Sequence, residues 1–222
     1  MAGGKQYIYC PFNRQDDGNT KLTIAKYKNK PNCKVITTNV NWANLSYLMS
    51  SRGVAMKPLK AVERDATLVV MAHGDYAANA ISVKGFGTER GGAERRYSMT
   101  ADTLAKVLSM DGLPTTHYKI RLLTCWAGGP NRDDLLLGTP AASCFARVLA
   151  IELGGPPHGY ANIYVAGYKG VVCSIDPGRV QVGLFDDSIQ DVYGSDYSHN
   201  DKAKFIVWYD AAGNEVAKPT VP

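Results

Sequence analysis

Two short segments, Thr67–Ala72 (TLVVMA) and Lys119–Thr124 (KIRLLT), limit what this chain can become more than any other feature. TLVVMA is apolar at every position after the first, without the alternation of a strand that has one wet face, so it predicts a strand covered on both sides. Between the two segments, Thr100 opens a helix that sets Leu104, Val107 and Leu108 on one face. Parallel neighbours in a sheet can be joined only by such a crossover, so the two strands are expected to run side by side in an α/β fold.

The rest of the chain extends the pattern. Gln6–Cys10, Lys34–Thr38 and Asn162–Tyr168 (NIYVAGY) have strand length, and Trp42–Met49 has Trp42, Leu45, Leu48 and Met49 at helical spacing. Ala141–Leu153 predicts a helix with Phe145, Val148, Leu149 and Glu152 on one stripe, stopped by Gly154-Gly155. KFIVWYD and NEVAK around Ala211-Ala212-Gly213 form a C-terminal hairpin signal. Asp75–Tyr97 is rich in glycine and charge, and within it Lys84–Arg96, like Pro130–Pro140, is expected to be a loop. One domain over residues 1–222 is expected, since apolar residues at 45% and charged residues at 20% are the proportions of an ordinary globular chain.

Charge and cysteine usage narrow the function. The 25 basic and 20 acidic residues are dispersed, and a net charge of +5 does not announce a nucleic-acid partner. No apolar run reaches the roughly 18–20 residues of a membrane span, and the start MAGGKQYIYCPF lacks the apolar core of a secretory signal. A soluble, cytosolic chain is expected, and leaderless export into a host or rival cell would leave no mark. Cys10, Cys33, Cys125, Cys144 and Cys173 contain no CxxC pair and no His at ligand spacing, which points to free thiols and away from zinc or a disulfide framework.

Both constraining strands end in chemistry. His73 follows the first directly and Cys125 follows the second, 52 positions later. Ligands gather beyond the carboxyl ends of strands in parallel sheets, so the imidazole and the thiol are expected on one rim. There His73 can take the thiol's proton or protonate a departing amine. The amides of Gly74 and Cys125 are candidates for an oxyanion hole, and Ala127-Gly128-Gly129 are expected to leave space beside the sulfur.

An apolar strand ending in His-Gly, then an apolar strand ending in Cys, resembles the caspase-like clan of cysteine peptidases, which includes gingipains, clostripain and legumain. The likeness runs through "MAHGD", "MTADTLAKVL", "IRLLTCWAGG", "CFARVLAIEL" and "IYVAGYKG", about residues 67–170. It is most similar to the self-processing protease domains of RTX toxins and to small bacterial effectors of that type. The resemblance implies a caspase-like, three-layer αβα sandwich with a mainly parallel central sheet, here with a C-terminal β-hairpin extension. It implies Cys125 as nucleophile and His73 as general acid/base, a protein or peptide substrate, and no metal or organic cofactor. Inositol hexakisphosphate is an expected anionic activator by the same analogy, with Arg90, Arg95 and Arg96 as contacts for it or for substrate, and Asp75 orients His73, lines the pocket or caps its loop. The Gln-Ala-Cys-x-Gly signature of caspases is absent, Thr124 standing where Ala would be, which leaves substrate preference open.

Other readings compete. A papain-type order would pair Cys125 with His158, although His158 follows Pro156-Pro157 in a turn. The same dyad could serve a deamidase or acyltransferase, or the fold could be a binding module. His117 and His199 lie in polar segments and are expected to be exposed; Cys10, Cys144 and Cys173 are expected in the core, with Cys33 in a loop.

Overall fold

The computed structural model describes residues 5–12, 24–25, 27–37, 57–74, 80–86, 94–125, 127–129, 144–169, 171–176, 179–183 and 206–220. The expected helix at 42–49 and the 130–140 loop lie outside these. In chain order the strands are β1 (Gln6–Cys10), β2 (Cys33–Thr37), β3 (Thr67–Met71), β4 (His73–Gly74), β5 (Ala80–Phe86) and β6 (Glu94–Thr100). After helix α1 (Ala101–Met110) and β7 (Lys119–Leu123) come helix α2 (Phe145–Gly154) and β8 (Tyr164–Tyr168). The chain continues with β9 (Val171–Asp176), β10 (Arg179–Gly183), β11 (Ile206–Tyr209) and β12 (Glu215–Val216).

Seven strands form the central sheet in the order β12-β11-β8-β7-β3-β1-β2. β2, β1, β3, β7 and β8 are parallel to their neighbours. β11 returns antiparallel on β8, and β12 pairs antiparallel with it. The C-terminal hairpin is therefore the edge of the main sheet. The α/β architecture with a mainly parallel sheet is the one the sequence predicts.

Alternate residues along each central strand enter different cores. Leu68, Val70, Ile120 and Leu122 pack with the buried faces of α1 and α2. Val69, Met71 and Leu123 join Ile8, Cys10 and Tyr168 on the other face, under Ile24 and Tyr27 from helical residues 24 and 27. Burial on both sides explains the unbroken apolar run, since each such Val or Leu contributes about 1.5–3 kcal/mol when fully enclosed. No helix among the described residues is long and apolar enough to cross a membrane.

Thr100 is the N-cap residue of α1, in an extended conformation. Asp102 lies in the first turn, where the helix dipole favours a carboxylate; it bonds the Thr100 hydroxyl and pairs with Lys106 at 3.3 Å. Leu104, Ala105, Val107 and Leu108 are buried, and the helix gives way at Gly112, whose φ of +84° suits glycine. In α2 the buried positions are Phe145, Ala146, Leu149, Ala150 and Leu153. The expected stripe through Val148 and Glu152 is rotated, because the small Ala146 and Ala150 lie on the side that packs into the core. Cys144 precedes the helix as its buried N-cap residue, and Cys33 opens β2 rather than sitting in a loop.

Two further expectations are corrected. Residues 84–86 and 94–96 of the expected loop lie in β5 and β6, which with β4 make a separate antiparallel sheet. Its apolar alternation, Ile81 and Val83 against Tyr97 and Met99, was the hairpin signal that the glycines and arginines outweighed. His117, read as exposed, is only 1% exposed. Its Nδ1 faces the Glu63 carbonyl at 3.1 Å and its Nε2 the Lys119 carbonyl at 3.0 Å, so the ring staples the 57–66 segment to the start of β7.

That staple fixes a pH dependence. Burial holds the imidazole below its ordinary 6.5, with the two carbonyls pulling the other way. A folded state with the lower pKa binds fewer protons than the unfolded chain; the stability it contributes is present above the unfolded value and is lost as pH falls through the folded one. His117→Ala is expected to cost about 1–3 kcal/mol in urea unfolding at pH 8. Between pH 7 and pH 5 the variant should lose part of the wild-type fall in stability, and an unchanged slope would contradict this account.

Candidate active site

β3 and β7 are adjacent and parallel, with Met71 level with Leu123. His73 and Cys125 each stand two residues further on, so the paired register brings both to the carboxyl rim at the same height. At His73 the backbone leaves the central sheet and joins the small one, pairing His73 with Ser82 and Gly74 with Ile81. Ile81 and Met99 are buried in the large core and anchor that hairpin. His73, Gly74 and Cys125 are half-buried.

The two strand ends touch. A Cβ built on Gly74 would stand 2.0 Å from the Cys125 carbonyl oxygen, 3.0 Å from its carbonyl carbon and 2.7 Å from Thr124 Cγ2. Only a bare α-carbon fits, so glycine after the histidine is a packing requirement of the strand pair.

The turn that carries the thiol is pinned on both sides. Gly128 N–H donates to the Tyr168 carbonyl at 2.9 Å, and Ala146 N–H at the start of α2 donates to the Ala127 carbonyl at 2.8 Å. Gly128 and Gly167 pack backbone to backbone: a Cβ on Gly128 would lie 2.5 Å from the Gly167 oxygen. Ala127, Gly128 and Gly129 are buried, so they do not leave space beside the sulfur; their smallness serves close packing against β8.

His158 lies elsewhere. α2 begins beside Ala127 and its ten residues carry the chain about 15 Å away. The chain then reaches Tyr164, which is level with Lys119 at the beginning of β7. His158, between the end of α2 and β8, is on the amino rim, and the papain-type order is not formed. Burial lowers its pKa, with Glu152 acting in the opposite sense.

Of the remaining candidates, Asp75 and Arg90 lie outside the described residues, while β6 carries Arg95 opposite Gly85 and Arg96 opposite Lys84. Cys10 and Cys144 are buried, and burial pushes the Cys10 thiol up to about 12 and raises that of Cys144. Among the described residues no cluster of three or more His, Cys, Asp or Glu side chains could hold a metal ion.

Fold and rim together define an α/β protein whose parallel sheet presents a thiol and an imidazole at neighbouring strand ends. No protein-family model matches the sequence, and no curated protein matches it. Among solved structures the chain is similar to the X-ray structure of a secreted C11 cysteine protease from Bacteroides thetaiotaomicron in complex with an irreversible peptide inhibitor. The identity is 10%, the TM-score is 0.35, and the match covers 75% of this chain and 49% of that one. The chain thus spans about half the length of that structure. So remote a likeness leaves the site to rest on this chain's own geometry.

The Gly74 contact is directly testable. Gly74→Ala should destabilise the chain by about 1–3 kcal/mol in urea unfolding, because backbone must move to admit the methyl. A wild-type midpoint in the variant would mean that the strand ends are not in contact.

Proposed function

We propose that this chain is a cysteine endopeptidase in which Cys125 is the nucleophile and His73 the general acid/base. The observation that carries the reading is the contact of the His73–Gly74 backbone with the Cys125 carbonyl at the ends of two adjacent parallel strands. Partial exposure of both residues leaves the pair open to a peptide.

The chemistry follows from the groups. The Cys125 thiolate attacks the scissile carbonyl carbon, and the new C–S bond pushes charge onto the carbonyl oxygen, to which the Gly74 and Cys125 N–H groups donate. The tetrahedral centre collapses, the C–N bond breaks, and the His73 imidazolium gives its proton to the leaving amine. Water, deprotonated by His73, then cleaves the thioester, releasing the acid and regenerating the thiol. Each step draws on this chain's side chains, its amides and water.

The motif resemblance supports a setting as a bacterial effector or toxin acting on proteins of a host or rival cell. It also supports inositol hexakisphosphate as an activator at Arg90, Arg95 and Arg96. Titration calorimetry should then give a binding heat together with a gain in activity, and the absence of both would remove the activator from the proposal.

A peptide-library digest read by mass spectrometry tests the activity. Wild type should produce cleaved peptides, while Cys125→Ala and His73→Ala should each lose at least about 100-fold, the scale of a missing acid/base or nucleophile. His158→Ala should retain wild-type turnover. Products that gain the mass of a deamidation without chain cleavage would replace the peptidase reading with a deamidase. A peptidyl chloromethyl ketone should label Cys125 ahead of the buried Cys10 and Cys144.

A further inference from the structure

Thr124 lies where the two reacting elements meet. It directly precedes Cys125, is 2% exposed, and turns its methyl group toward Gly74, the residue that directly follows His73. A Cβ on Gly74 would come within 2.7 Å of that methyl, so the methyl occupies the space over the bare α-carbon. One side chain thus bears on the backbone of both the thiol and the imidazole.

The other branch of the same side chain does the opposite of stabilising. Thr124 Oγ1 is buried without a hydrogen-bond partner among the described residues. A buried hydroxyl left unpaired is unfavourable, and Val would fill the same volume without that penalty. The methyl is the half of the side chain with a contact to make.

We propose that Thr124 is a positioning residue whose methyl group spaces the His73–Gly74 backbone from the Cys125 turn and so sets the separation of imidazole and thiol. The inference rests on the Cys–His reading above. With serine at 124 the methyl is gone, Gly74 can settle toward β7, and the ring is carried off the line to the sulfur. A displacement of about 1 Å is enough to cost on the order of 100-fold when two groups must exchange a proton.

The test uses the full chain as wild type, Thr124→Val, Thr124→Ser and His73→Ala. Alkylation by iodoacetamide is followed from pH 5 to pH 10 on the Cys125 peptide by mass spectrometry, beside thermal unfolding of each protein. Valine keeps the methyl and should reproduce the wild-type pH profile, with Tm raised by about 2–4 °C as the orphaned hydroxyl disappears. Serine should move the profile toward that of an ordinary thiol, with labelling at pH 6.5 reduced by about tenfold or more. Serine superimposing on wild type would overturn the proposal, as would valine departing from it; the valine profile decides alone if the serine variant does not fold. His73→Ala separates the two levels of inference. If it shifts the wild-type profile while serine does not, only the spacer falls, and if it shifts nothing, the Cys–His reading falls and takes the spacer with it.

Discussion

The arrangement depends on one close approach, that of the Gly74 α-carbon to the Cys125 carbonyl. Two parallel strands can be paired in register and still diverge once the ladder ends, since nothing in β3 or β7 fixes the residues beyond Met71 and Leu123. Glycine lets the chain after β3 stay against the chain after β7 for three more residues. Any side chain at 74 would force the ends apart and separate the imidazole from the thiol whatever else remained intact.

Around that contact, different parts of the fold hold His73 and Cys125. Cys125 is on a turn bound to β8 through Gly128 and to the start of α2 through Ala127, so the thiol side is tied to the central sheet and to a core helix. His73 is held by a hairpin whose anchors, Ile81 and Met99, sit in the large core. The thiol side resembles a fixed scaffold and the imidazole side a mounted arm, with Thr124 between them.

The central strands were legible because burial on both faces leaves a strong imprint: TLVVMA can hardly be anything other than an interior strand, and the residue ending it is then on the carboxyl rim of the sheet. α1 was legible through its cap at Thr100 and its clean stripe. The less legible parts share a physical cause, that polar or small residues were taken as surface when they serve packing. Ala146 and Ala150 turned the buried face of α2, because small side chains on a helix are as suited to close approach as large ones are to filling space. Ala127-Gly128-Gly129 looked like an open site loop and is a backbone contact with β8. His117 sat among polar neighbours, and composition alone cannot show that two backbone carbonyls receive its ring. The hairpin was hidden by arginines and glycines that dominate its sequence while the buried residues that anchor it, Ile81 and Met99, stand one on each strand.

Position also sorts the cysteines. Cys10 ends β1 and Cys144 caps α2, both at strand or helix termini, yet burial drives both thiols upward and disfavours the thiolate that nucleophilic attack needs. Cys125 differs in standing at the mouth of the sheet, half-exposed, one strand away from an imidazole at the same height. The order of strands, which puts β3 and β7 side by side at the middle of the sheet, sets that thiol and the imidazole at neighbouring strand ends. The pairing at this rim is thus a consequence of topology: a fold that placed β1 between the two strands would hold the same two residues about 5 Å further apart.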